Sequence, residues 1–220
     1  GYTFAHPFND EYVIAGQGTI ALEILEQLPD VEQVVVPIGG GGLISGVAYT
    51  IKQLKPDCKV IGVQAATVPS MYESWKAGKI VTVPDGNTIA DGIHVLTPGN
   101  LTFELVEKYV DEVVTVSEDE ICAAILTLLE KSKTVAEGAG ATPVAACLYN
   151  KVDMSKKTVC VVSGGNVDVT TLNRIITKGM IKTGRIVEIQ TKVGDKPGQL
   201  NRLLQLIAEN GANIMSIVHK

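Results

Sequence analysis

Residues 37–46 read Pro-Ile-Gly-Gly-Gly-Gly-Leu-Ile-Ser-Gly, four successive glycines between an apolar run and a helical pattern. Glycine loses more conformational freedom on folding than any other residue, so such a run persists only where the bare main chain is needed. Before it, Val31 to Ile38 is β-branched and apolar, the pattern of a strand buried in a parallel sheet. After it, Leu43 to about Leu54 has helical spacing, stopped by Pro56-Asp57. Strand, glycine turn and helix in that order build an anion site. The first N–H groups of the helix lack intrahelical partners, the helix dipole adds partial positive charge, and glycine lets amides converge without a Cβ in the way. The run is not Gly-x-Gly-x-x-Gly, and the next lysine is Lys52, so the P-loop spacing fails too. A phosphate monoester held by backbone alone fits better than a nucleotide; a plain sheet-to-helix turn is the competing structural reading.

The same alternation continues. Lys59 to Ala65 reads as a strand, and Gly78 to Asn100 as loop with short helical pieces around Ile89 to Ile93. Val110 to Val116 is again strand-like. Ser117 with Glu120 three residues on forms a capping box for a helix with an Ile121, Ala124, Ile125, Leu128, Leu129 stripe. A small-residue helix over about Glu137 to Tyr149 follows. Lys157 to Asn166 is a strand ending in a second glycine turn, Ser163-Gly164-Gly165-Asn166, before a helix over Val169 to Ile181. The fold class is α/β, a doubly wound parallel sheet. At Thr183-Gly184 the pattern restarts. Arg185 to Val193 and Ala212 to Val218 alternate apolar and polar like half-exposed strands, flanking a helix over Gln199 to Asn210 that lines up Leu200, Leu203, Leu204 and Ile207. Two domains are expected, residues 1–182 and 183–220, the second too small to bury a core alone and read as cut off in mid-domain.

Composition excludes several classes. Nineteen basic against 24 acidic residues, with no basic stripe, argue against nucleic acid. No apolar run reaches the ~18 residues a membrane span needs, and the first ten residues lack the n-region and h-region of a signal peptide. Cys58, Cys122, Cys147 and Cys160 are scattered without Cys-x-x-Cys spacing, which reads as buried, reduced thiols of a cytoplasmic protein rather than metal ligands or disulfides.

Five ordered motifs, HPFND with VIAGQGTIALEIL, VVVPIGGGGLISGVA, IADGI, VAEGAGATPVAA and VVSGGNVD, resemble the pyridoxal-phosphate-dependent serine/threonine dehydratases (threonine ammonia-lyases) of fold type II over about Gly1 to Ile181. The resemblance implies the large domain of such an enzyme, incomplete, with pyridoxal 5'-phosphate as cofactor. It implies that Gly39, Gly40, Gly41, Gly42 and Leu43 hold the phosphate and that Ser163 hydrogen-bonds the pyridine nitrogen. Glu137 and Gly92 are expected to line the same cavity; for Glu137 the rival reading is a carboxylate favoured by a helix start. A hydroxyl at Ser163 is too weak an acid to keep the ring nitrogen protonated, which makes the ring a modest electron sink and favours loss of the β-hydroxyl over transamination. The implied substrates are L-threonine or L-serine.

The Schiff-base lysine of the family lies in a Ser-Phe-Lys-type motif, which this chain lacks; Lys133 is only a superficial match at a solvated helix end. The chain is therefore read as a carboxy-terminal fragment, inactive alone, with no catalytic residue of its own assigned. Relatives with a divalent-cation site carry a carboxylate where this chain has Gln64, so no family-type metal site is expected. His6 is read as structural, His94 as near the substrate cleft without an evident partner, and His219 as part of the tail. Residues 185–217 resemble the first half of a ferredoxin-like ACT regulatory domain, whose effector loop would be Asp195, Pro197 and Gly198. That implies an amino-acid effector and, from the family, a homo-oligomer. Two alternatives stay open: a serine racemase, and an amino-acid-sensing module on a catalytically dead scaffold. Cysteine synthase relatives place Thr in the phosphate loop, where this chain has only glycine.

Overall fold

The valine-rich run forms the spine of a parallel sheet in the computed structural model, which describes residues 4–218. His219 lies outside the described residues. In chain order the elements of the first unit are α1 (Glu11–Gln27), β1 (Gln33–Pro37), α2 (Gly42–Leu54), β2 (Lys59–Ala65), α3 (Ser70–Ala77), a 3₁₀ turn (Asp91–Ile93), α4 (Asn100–Tyr109), β3 (Glu112–Val116), α5 (Glu118–Thr127), α6 (Gly138–Leu148), β4 (Thr158–Cys160) and α7 (Val169–Lys182). The strands lie in the order β3-β2-β1-β4, every pair parallel. All five residues of β1 are buried, as expected for a central strand covered on both faces. Val34, Val36 and Val60 pack with α1, α2 and α4 on one face, whereas Val35, Ile61 and Val63 pack with α5, α6 and α7 on the other. The sheet is doubly wound, as expected.

Local chemistry explains the helix starts. Asp10 caps α1, its Oδ1 accepting the N–H groups of Tyr12 (2.9 Å) and Val13 (3.1 Å). Ser117 and Glu120 form the full capping box of α5, and four members of the expected stripe are buried while Leu129 is half-buried. Pro143 stands inside α6 and cannot donate to Ala139 O; the Thr142 hydroxyl does so instead, at 2.9 Å. Beyond α5 the chain makes a π turn (Leu128–Ser132) and then the left-handed residue Lys133 (φ 56°). Lys52 is a buried-stem clasp: its Nζ donates to Cys58 O (2.8 Å) and pairs with Asp111 Oδ2 (2.8 Å), tying the end of α2 to the starts of β2 and β3. No helix among the described residues is long and apolar enough to cross a membrane.

The first unit ends at Ile186 and the second begins at Val187. Within 187–218 the only regular element described is α8 (Gln199–Glu209), and no residue is buried. The helix falls where its spacing put it. The flanking segments expected as strands, Arg185–Val193 and Ala212–Val218, carry no strand pairing. A strand exists only by hydrogen bonding to a neighbour, and in a split βαβ the two parallel strands leave a gap for a third. No described segment fills that gap. Thirty-odd residues also bury too little apolar surface to hold an unpaired strand flat.

Candidate active site

The chain leaves β1 for α2 and β2 in one direction, while β4 flanks β1 on the other side. The order therefore reverses between β1 and β4, and in open α/β sheets the crevice outside the strand carboxyl ends at such a reversal is where ligands bind. Both glycine turns sit there: Gly39–Gly42 follows β1, and Ser163–Asn166 follows β4.

Gly41 adopts φ +97° and serves as the N-cap of α2 without any side-chain cap. The first bond of the helix runs from Ser45 N–H to Gly41 O at 3.0 Å. Among the described residues no protein acceptor takes the N–H of Gly39, Gly40, Gly41, Gly42, Leu43 or Ile44. Gly40, Gly41, Gly42 and Ile44 are buried, and Gly39 and Leu43 are half-buried. Buried amides left unpaired are costly, and a row of six at a helix N-terminus is the arrangement that an anion would satisfy. Neighbouring side chains close around it. A Cβ on Gly40 would run into the Phe8 ring, and one on Gly39 would lie 3.0 Å from Ile93 Cα. The Thr102 hydroxyl donates to Gly40 O from beneath. Phe8 is held in place by a turn in which His6 Nδ1 accepts the N–H groups of Phe8 (3.3 Å) and Asn9 (2.9 Å), while Asn9 Oδ1 accepts Leu101 N–H (3.0 Å).

The second turn meets Glu137. This residue is the N-cap of α6, yet its carboxylate does not cap; Oε2 reaches across to accept Asn166 N–H at 3.0 Å, and its own N–H donates to Gly164 O at 3.1 Å. A Cβ on Gly164 would collide with Glu137 Oε1, and one on Gly92 would lie 3.4 Å from the same oxygen. Gly92, Glu137 and the Ser163–Asn166 turn are therefore brought together, and Ile93 joins this group to the amide cradle. Ser163 is exposed, and its hydroxyl has no protein partner among the described residues. A small cavity of about 60 Å³ is lined by Ile89, Asp91, Glu137, Asn166, Asp168 and Thr171, among others. Asp168 caps α7; hydrogen bonds from Thr171, then from Thr170, hold its carboxyl below the usual range. A larger hollow, about 210 Å³, lies at the opposite, amino-terminal ends of the strands among Glu32, Lys55, Asp57 and Lys59. It has no glycine turn and no row of unpaired amides, so we place the candidate site at the strand carboxyl ends.

The remaining candidates fall elsewhere. Lys133 is exposed, its Nζ donating to Glu130 O at 2.7 Å. Gln64 is fully buried, with Oε1 accepting Tyr72 N–H at 2.8 Å. His94 Nε2 faces Asp85 Oδ1 at 2.8 Å on the surface. Sequence reasoning missed Phe8 and Thr102 as walls of the cradle. Both are long-range contacts, and only the glycines' need for close neighbours hinted at them.

Residues 1–165 match the family described as pyridoxal-phosphate dependent enzyme. The chain belongs to this family. Within it, the chain is 60% identical over 220 residues to an L-threonine ammonia-lyase of Thermotoga maritima, covering all of this chain and 55% of that protein. Among solved structures, the processed form of threonine deaminase isoform 2 from Solanum lycopersicum matches with a TM-score of 0.76 and 36% identity, over 81% of this chain and 53% of that one. Maize serine racemase matches with a TM-score of 0.72 and 41% identity, over 79% of this chain and 55% of that one. The chain spans about half the length of the curated relatives it matches. As a member of a pyridoxal-phosphate dependent family, it offers a fit for the cofactor's phosphate in its own geometry: unpaired amides, and glycines whose Cβ positions are already filled by walls.

Proposed function

We propose that this chain forms part of an L-threonine ammonia-lyase, which converts L-threonine to 2-oxobutanoate and ammonia and acts on L-serine to give pyruvate. The observation that carries this is the row of six unpaired amides from Gly39 to Ile44 at the reversal point of the sheet. It is supported by the identity with the Thermotoga maritima protein across the whole chain. The amides of Gly39, Gly40, Gly41, Gly42 and Leu43 would bind the cofactor phosphate with main chain alone, helped by the α2 dipole. Phe8 and Ile93 pack against that loop. The Ser163 hydroxyl, without a protein partner among the described residues, would hydrogen-bond the ring nitrogen. Glu137 orients the turn that carries Ser163 through Asn166 N–H, and Gly92 leaves room for its carboxylate. When bound, pyridoxal 5'-phosphate supplies the electron sink that lets an amino acid lose its α-proton and then its β-hydroxyl.

No Ser-Phe-Lys motif occurs in this chain, so by itself it should bind the phosphate end of the cofactor without turning over substrate. The sequence of residues 183–220 resembles the first half of an ACT-type regulatory module, and α8 supports that reading: Asp195, Pro197 and Gly198 precede it, and Leu203, Leu204 and Ile207 share its half-buried side. An amino-acid effector, a homo-oligomer and a cytoplasmic setting belong to the same reading. The test is to express the protein from its whole coding sequence and follow 2-oxoacid and ammonia from L-threonine and L-serine. Formation of 2-oxobutanoate is the expected result, and its absence with cofactor bound rejects the assignment. The match to maize serine racemase favours one second reading. Chiral analysis of serine after incubation separates the two.

A further inference from the structure

Two of the four cysteines face each other away from the cradle. Cys147 near the end of α6 and Cys160 at the end of β4 bring their Sγ atoms to 3.3 Å. Both are half-buried at the margin of one core cluster, and much of the segment joining them is exposed. The other two, Cys58 and Cys122, are fully buried. We infer that Cys147 and Cys160 form an oxidation site, closing to an intramolecular disulfide when a low-molecular-weight disulfide such as oxidised glutathione is present. This inference is independent of the function proposed above.

The geometry requires little. A disulfide needs its sulfurs at about 2.05 Å, so from 3.3 Å each sulfur moves by well under an ångström. The chemistry balances as two exchanges. Cys147 gives its proton to water, and its thiolate attacks one sulfur of the small disulfide; a mixed disulfide forms and one small thiol departs. Cys160 then loses its proton and attacks the Cys147 sulfur, expelling the second small thiol. Two protein S–H groups become one S–S bond, and the oxidant is reduced to two thiols. The order follows from the pair itself. A hydrogen bond from Cys160 draws the Cys147 thiol below its usual range, so Cys147 reacts first. The same contact pushes Cys160 up, and that restraint disappears once Cys147 carries no negative charge. Burial pushes Cys122 up to about 11 and raises Cys58 as well, so neither competes. The bond would tie the helix that starts after Glu137 to the strand that leads to Ser163.

The experiment incubates the purified chain with oxidised glutathione, quenches in acid, alkylates under denaturing conditions and maps the peptides by mass. The expected result is one crosslinked Cys147–Cys160 peptide pair lighter by two hydrogens, with Cys58 and Cys122 alkylated. A reductant should reverse it. The crosslinked chain should melt roughly 5–10 °C higher than the reduced one, as a closed loop of this size and a domain of this length imply. In Cys160→Ser, Cys147 should stop at the mixed disulfide; in Cys147→Ser, neither product should form. Wild-type chain that stops at the mixed disulfide, that keeps all four thiols alkylatable, or that crosslinks through Cys58 or Cys122 overturns the inference.

Discussion

Replacing Gly41 by alanine tests the cradle at its most constrained point. The residue sits at φ +97°, where a Cβ costs about 1–2 kcal/mol. The new methyl would also lie 2.7 Å from Met71 Cε and 2.8 Å from Thr102 Cβ. Met71 ends in a flexible chain and can give way. Thr102 cannot: it is buried, β-branched and bonded through its hydroxyl to Gly40 O. Overpacking of that kind adds about 1–3 kcal/mol, so the whole substitution should cost about 2–5 kcal/mol. Gly16 is the matched control, since it is exposed in α1 and a Cβ there meets nothing within 4 Å. Gly16→Ala should stabilise by up to ~1 kcal/mol through helix propensity. Denaturant unfolding with a common m value reads both, and titration with inorganic phosphate reads whether the amide fan survives. Gly41→Ala should lose phosphate binding along with its stability. If its midpoint matches wild type and phosphate still binds, the positive-φ cap and its crowded walls are not what holds the loop open.

Two further outcomes follow from the same coordinates. Lys52→Ala removes the clasp on Cys58 O and leaves Asp111 Oδ2 bonded only to Val60 N–H, so denaturant unfolding should register a loss of about 1–3 kcal/mol. Asp168 is depressed by its bonds to Thr171 and Thr170, so its contribution is complete above the ordinary carboxylate range near pH 4 and is lost as pH falls through its lower folded value. Asp168→Asn keeps an acceptor for the α7 cap and should flatten the acid side of a Tm-against-pH curve while leaving pH 7 stability near wild type.

Much of the first unit could be read from its apolar pattern because its two central strands, β1 and β2, are buried on both faces. Residues 34–37 and 60–63, inside β1 and β2, appear as uninterrupted apolar runs, which few other structures produce. Helices α1 and α3 give no such signal, each for its own reason. In α1 the glycines at 16 and 18 mask the pattern, yet Gly18 is there because α2 approaches so closely that a Cβ would lie 3.2 Å from Gly46 O. In α3 the buried face includes Ser70 and Ser74, whose hydroxyls donate to main chain, Ser70 to Val95 O at 2.5 Å and Ser74 to Ser70 O at 2.6 Å. A burial pattern made of glycine and serine carries almost no hydrophobic signal.

The candidate site divides along a similar line. What depends on main chain was visible, because glycine runs and capping pairs are local and each has one physical reason to exist. What depends on side chains from distant segments was not, since nothing near Phe8 says that it covers Gly40 and Gly42, which lie beyond a whole helix and strand. Glu137 lies between these cases. Its place before a small-residue helix suggested a carboxylate stabilised by the dipole, and it does stand at that N-cap. Its oxygens serve another turn, however, and the glycines at 92 and 164 are the residues that make room for them. Glycines that look like loop filler in the sequence are, in this fold, the outline of the side chain they accommodate.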